Sequence, residues 1–169
     1  MGKWDKGVEF EYAYNKILRN LYNNTSITKC YDIILLIQLR NGSRIGESIL
    51  AFLEFLKTKK IEIEIPVEKK KNRETRLMII PSEILNTDYS MCYELLDIQY
   101  NRLKDRIKHY CRNKYKFNTH SLRYAFITYL LRLGVNPALI SKITKHSKLD
   151  FILTYTQEKQ AVEILKKLV

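Results

Sequence analysis

Cysteine, glycine and proline are all scarce in this chain, at 3, 5 and 3 among 169 residues. The cysteines, Cys30, Cys92 and Cys111, are odd in number and widely spaced with no CxxC pair, so neither a disulfide framework nor a zinc site is expected. So little glycine and proline excludes a low-complexity polypeptide, and no internal repeat or linker stands out. Negative charge is short as well: 18 Asp and Glu stand against 30 Lys and Arg, a formal balance of +12. Long apolar runs are missing. The longest candidate, Ile33 to Leu39, is interrupted by Gln38 and closed by Arg40 and Asn41, well under the roughly 18 residues that span a bilayer. Lys3, Asp5, Lys6 and Glu9 break any signal-peptide core. The expectation is an intracellular, cytoplasmic protein without metal or cofactor, and with no role at a membrane.

What is present is a basic surface around an apolar interior. With 46% hydrophobic residues the chain can bury a core, so the positive charge belongs to a folded domain and not to a disordered tail. The length suits one domain. A field of this sign concentrates polyanions, nucleic acid first among them.

The apolar pattern predicts a mainly α fold with one small antiparallel β-hairpin. Phe10, Tyr14, Ile17, Leu18, Leu21 and Tyr22 share one face of a helix over about Val8 to Asn23. Tyr31 to Leu39 reads as a buried helix, stopped at Gly42, where a left-handed residue fits. Ser43 is placed to cap the next helix, Arg44 to about Phe55. Ile61, Ile63, Ile65 and Val67 alternate with polar residues, and a second run, Thr75 to Ile80, returns beside them. The hairpin tip between them is basic, with Lys69, Lys70, Lys71 and Arg73. Tyr93 to Tyr115 reads as one long basic helix, and His120 to Leu133 as another, capped by Thr119. Asn136-Pro137 opens a short helix, and two more, Leu149 to Thr156 and Ala161 to Leu168, close the chain.

Four local patterns carry chemistry in combination. Leu39 to Glu47 has the form L-x-x-G-x-R-x-x-E, His120-Ser121-Leu122-Arg123 has the form H-x-L-R, and His146 precedes Tyr155 by nine residues. Phe126, Thr128, Leu130, Leu131 and Gly134 follow the second pattern at fitting intervals. From about residue 33 to 157 the chain resembles the catalytic domain of the tyrosine recombinases, the phage-integrase family. The resemblance implies a site-specific recombinase that integrates or excises DNA through a 3′-phosphotyrosyl intermediate. It implies an attachment-site duplex as partner and a homo-tetramer on that DNA.

Phosphodiester exchange needs a nucleophile, compensation for charge on the phosphorane, and a proton for the leaving 5′-oxygen. Two guanidinium groups can hold both non-bridging oxygens, and Arg44 and Arg123 are placed as that clamp by the resemblance. Tyr155 is the implied nucleophile, because a phenolate ester is good enough to leave again and rejoining then needs no ATP. His120 is the candidate for proton handling and His146 for a further hydrogen bond to the phosphate. The family's general acid is a hairpin lysine; counting back from Arg76 favours Lys71, with Lys70 one residue away. No metal is required by this set. Glu47 is expected to orient a neighbouring arginine or helix end. Lys69, Lys70, Arg73 and Lys145 are expected to contact phosphate, and so is the basic face of Arg102, Lys104, Arg106, Lys108, Arg112, Lys114 and Lys116.

Two positions depart from the family: Tyr124 replaces a histidine, and Lys145 stands where glycine usually precedes the second histidine. Residues 1–169 are expected to form one catalytic domain without the customary amino-terminal core-binding domain, since about 30 residues precede Tyr31. A non-catalytic DNA-binding module and a minimal type IB-like topoisomerase are the competing readings.

Overall fold

A computed structural model describes residues 7–68, 73–146 and 150–168, with the side chains at 150–152 and 154–156 outside that description. The element order is α1 (Phe10–Asn23), α2 (Thr28–Asn41), α3 (Ile45–Thr58), β1 (Glu62–Pro66), β2 (Thr75–Ile79), α4 (Ser82–Leu85), a 3-10 helix (Ser90–Asp97), α5 (Tyr100–Tyr115), α6 (Thr119–Arg132), α7 (Pro137–Thr144) and α8 (Asp150–Lys167). The mainly helical fold with one antiparallel hairpin is the expected class. The strands pair Glu62 with Ile79 through Pro66 with Thr75.

Helix α2 is the centre of the molecule. It is apolar almost all round, its Ile33 to Ile37 run is fully buried, and α1, α3, α5, α6 and β2 pack against it. One charged residue interrupts that face. Asp32 is buried and accepts hydrogen bonds from Asn20 Nδ2 (2.7 Å), Asn24 Nδ2 (3.3 Å), Tyr110 Oη (2.9 Å) and Tyr115 Oη (2.6 Å). Four neutral donors satisfy the carboxylate and stitch α1 and α5 to α2. Burial nevertheless raises its pKa above the ordinary carboxylate value. A smaller core of Ile127, Leu131 and Ile140 joins α6 to α7, and Leu153 of α8 packs on it.

Several expectations are corrected here. The cap of α3 is Arg44, not Ser43, whose hydroxyl is instead buried against Ser48 Oγ at 2.5 Å. Asn118, not Thr119, caps α6 by accepting from the Ser121 N–H at 3.0 Å. The long helix expected from Tyr93 is a 3-10 helix and then α5, because Ile98 is extended (ψ 134°) and separates them. The two final helices are one, α8. Ile61 lies outside β1 and is exposed, so only Ile63, Ile65 and Val67 of the alternating set turn inward.

The cysteines also differ from expectation. Cys30 and Cys92 form a disulfide, with Cα atoms 5.5 Å apart, that ties α2 to the 3-10 helix. Spacing gave no hint of it because 62 residues separate the pair and only the tertiary fold brings them together. Cys111 remains a thiol, buried and pushed up to about 12 by burial and then by the Asp32 charge, which makes it unreactive at neutral pH. Closing so long a loop is worth about 4 kcal/mol on chain entropy. The unfolded, unreduced protein should therefore titrate as one thiol per chain, and reduction should lower its denaturant midpoint; three thiols without reductant would show the bridge absent.

Candidate active site

The turn between α2 and α3 is built by one glycine. Gly42 has φ +59°, the left-handed state open to glycine, and its N–H closes α2 on Gln38 O. A Cβ at Gly42 would lie 2.1 Å from the Phe126 ring of α6, so the absence of a side chain also lets α6 approach. The Gly42 carbonyl is thereby set to accept from Arg123 Nη1 at 2.8 Å. The glycine and arginine of two separate sequence patterns thus meet in one hydrogen bond.

Glu47 is fully buried in the first turn of α3 and gathers the positive groups. Its Oε1 accepts from the Arg44 backbone N–H (3.0 Å) and Arg76 Nη1 (3.3 Å); its Oε2 accepts from Arg44 Nη1 (3.2 Å) and the Glu68 backbone N–H (3.0 Å). The orienting role expected of Glu47 is what these contacts perform. Arg123 is 2% exposed and close enough to feel Arg44 and Arg76. Burial first, and the neighbouring Arg44 second, push its guanidinium down to about 10, so it stays charged at neutral pH. Three guanidinium groups around one carboxylate leave an excess of positive charge in a largely buried recess of the fold. Such a recess suits a dianionic oxyanion better than any cation.

His146 enters the same cluster, 3.2 Å from Arg123 Nη2 through Nδ1. Arginine only donates, so Nδ1 is the acceptor in this contact, the arrangement of a neutral ring protonated at Nε2. Lys145, just before it, closes α7 in the left-handed conformation with φ +57°. Glycine takes that state without strain, which accounts for the family's glycine there. The Lys145 ammonium pairs with Glu74 Oε1 at 3.4 Å and so ties the His146 segment to the base of the hairpin.

The other expected residues lie as follows. His120 sits one turn before Arg123 on α6, on the solvent side, its ring stacked on Tyr124 with centroids 6.3 Å apart. Arg73 is exposed at the start of the returning strand. Lys69, Lys70 and Lys71 lie outside the described residues; the Tyr155 backbone belongs to α8, and its side chain is outside the description. Thus Arg44, Arg123 and His146 are brought together among described side chains.

Three residues escaped the sequence reading as parts of this cluster: Arg76, Asn41 and Glu68. Asn41 acts as a strand mimic, its Nδ2 donating to Ile79 O and its Oδ1 accepting from Ile79 N, both at 2.9 Å. Glu68 pairs with Lys104 of α5 beneath the hairpin. No local signal marked Arg76: the alternation in Thr75 to Ile79 points Leu77 and Ile79 inward, whereas the structure buries Arg76 and Met78.

Gly42→Ala should destabilise the protein by about 1–3 kcal/mol, through the left-handed φ and the Phe126 overlap. Denaturant unfolding checks this, and an unchanged midpoint would contradict the turn's role.

No protein-family model matches the chain. It is 42% identical over 171 residues, 99% of the chain and 69% of the relative, to "Putative integrase ORF241" of Acidianus two-tailed virus. It is 33% identical over 199 residues to an uncharacterized protein of Methanocaldococcus jannaschii, covering 99% of the chain and 89% of that protein. "Putative integrase V10" of Sputnik virophage is 29% identical over 202 residues, with coverage of 97% and 89%. Among solved structures, the crystal structure of XerA recombinase matches with a TM-score of 0.59 at 16% identity, over 92% of this chain and 60% of that one. That likeness is one of fold, and the chain spans less than two thirds of the XerA chain. The glycine-arginine turn, the buried Glu47 and the 42% identity to a viral integrase converge on one assignment: this chain belongs to the integrase family of tyrosine recombinases.

Proposed function

We propose that the protein cleaves and rejoins DNA strands at a specific attachment site through a covalent phosphotyrosyl intermediate. The observation that carries this reading is the gathering of Arg44 and Arg123 beside Glu47, a carboxylate whose oxygens are already engaged. The two guanidinium groups would bind the non-bridging oxygens of the scissile phosphate and strengthen their hold as charge builds on the phosphorane. The His146 Nε2 edge would add a donor.

In the proposed step the Tyr155 hydroxyl oxygen attacks phosphorus, and its proton passes to a base, the role assigned to His120. The bond from phosphorus to the 5′-oxygen breaks, and that oxygen takes a proton from Lys71 at the hairpin tip. The 3′-phosphate is then held as a tyrosyl ester. Attack by a 5′-hydroxyl of a second strand restores the phosphodiester and frees the tyrosine, with the number of high-energy bonds unchanged. Lys69, Lys70, Arg73 and Lys145, with the exposed face of α5, would grip the flanking backbone.

A tetramer on DNA is part of the same proposal. Val162, Ile164 and Leu165 of α8 and Leu168 just beyond it are exposed, up to 79% at Leu168, and such a helix end is suited to pack on a second copy.

A nicked duplex bearing the attachment site should trap a denaturation-resistant protein–DNA adduct. Tyr155→Phe should abolish it, and Arg123→Lys should slow it by about 100- to 1,000-fold. No adduct on a verified site, with binding that falls steeply with salt, would establish a non-catalytic DNA-binding module instead. Relaxation of any supercoiled plasmid would favour a topoisomerase.

A further inference from the structure

Strand β2 buries a charged residue beside an apolar one, Met78, on its inward face. Leu77 and Ile79 face solvent, whereas Arg76 is 2% exposed. An apolar residue would fill that inward position without desolvating a charge, so a guanidinium there is kept for what it holds. Nη1 donates to Glu47 Oε1 at 3.3 Å and Nη2 to Asn41 O at 2.6 Å, while Nε is buried without a hydrogen-bond partner among the described residues.

We propose that Arg76 is a positioning residue for strand transfer: it fixes the Glu47 carboxylate and, through it, the Arg44 guanidinium. The proposal rests on the recombinase reading above. Oε1 of Glu47 is shared between Arg76 and the Arg44 N–H, and Oε2 takes Arg44 Nη1 and the Glu68 N–H. Without Arg76, Oε1 keeps one donor, and the terminal torsion of a glutamate is broad. The carboxylate can then turn, and Arg44 Nη1 loses a fixed acceptor.

Arg76 also bonds the Asn41 carbonyl, so its planar fork spans the α2 end and the α3 start at once. That fork is what keeps the arginine turn in register with the hairpin. Lysine cannot reproduce it, because a point charge on a flexible stem reaches Glu47 or Asn41 O but has no rigid pair of donors. Both Nη atoms of Arg76 are engaged within the protein, so its proposed role is to hold Glu47 and not to bind phosphate.

The test compares wild type with Arg76→Lys, and with Arg76→Gln as a second variant that keeps one amide donor for Glu47. Single-turnover cleavage of a nicked duplex is measured at saturating DNA, well below each variant's unfolding midpoint. Arg76→Lys should cleave about 10- to 100-fold more slowly, as misplacing a reacting group does, with DNA affinity within about 3-fold of wild type. In parallel, NMR relaxation of the Arg44 side-chain Nε–H should show a loss of order in the variant. Unchanged cleavage per folded molecule, a loss matched by lost affinity, or an Arg44 as ordered as in wild type would each overturn the proposal. If neither variant folds, Arg76 serves stability and the proposal falls. A wild type that forms no adduct defeats the recombinase reading, whereas the NMR arm still decides whether Arg76 orders Arg44.

Discussion

Glu47 is buried, and a buried carboxylate is costly unless its lone pairs are filled and, where cations are at hand, its charge is answered. Both conditions are met by Arg44, Arg76 and the Glu68 N–H, and meeting them fixes the parts of the molecule that matter. The start of α3, the inner face of β2 and the base of the hairpin are drawn to one point. Removing either arginine would leave charge uncompensated in the interior, so the cluster is held by necessity as much as by attraction. The carboxylate's oxygens are all taken by orienting groups, and one negative charge faces the three positive charges of Arg44, Arg76 and Arg123.

A second buried carboxylate, Asp32, solves the same problem in the opposite way. It is surrounded by neutral hydroxyls and amides and not by cations, and its pKa rises where a charged partner would have lowered it. Asp32 thus organises the rear of the molecule, where α1 and α5 meet α2. The disulfide from Cys30 stiffens the same helix. The scaffold around α2 is therefore rigid on the side away from the site, and the site's charge is shaped by Glu47.

Local signals in the sequence identified most of the elements. Period and turn chemistry marked α1, α2, α3, the hairpin, α6 and α7, because Gly42, Asn136-Pro137 and the alternating isoleucines act over a few residues. Caps were less legible: Ser43 and Thr119 are good cap residues by type, yet tertiary packing engaged Ser43 with Ser48 and gave the second cap to Asn118. The break at Ile98 and the Cys30–Cys92 pairing depend on contacts between distant segments, which no local rule reports. For the site, Arg44, Arg123 and His146 were named from ordered motifs and stand together. Arg76, Asn41 and Glu68 were missed because they reach the cluster from β2, the end of α2 and the base of the hairpin, and because the alternation in Thr75 to Ile79 points Leu77 and Ile79 inward where the structure buries Arg76 and Met78.

The +12 balance that first pointed to a polyanion now divides by geometry. Three buried or half-buried guanidinium groups form one cluster around Glu47, whereas Arg102, Arg106, Lys108, Arg112 and Lys114 of α5 are exposed and would contribute a salt-sensitive grip, with Lys104 held back by Glu68. The central claim is that Arg44 and Arg123 act on a single phosphate. A crystal structure of the protein on a nicked duplex, with vanadate in place of the scissile phosphate, tests it directly. The account predicts both guanidinium groups within about 3 Å of non-bridging vanadate oxygens, with the Tyr155 oxygen in line. Arg44 and Arg123 bound to different phosphates, or either one turned away from the backbone, would contradict it.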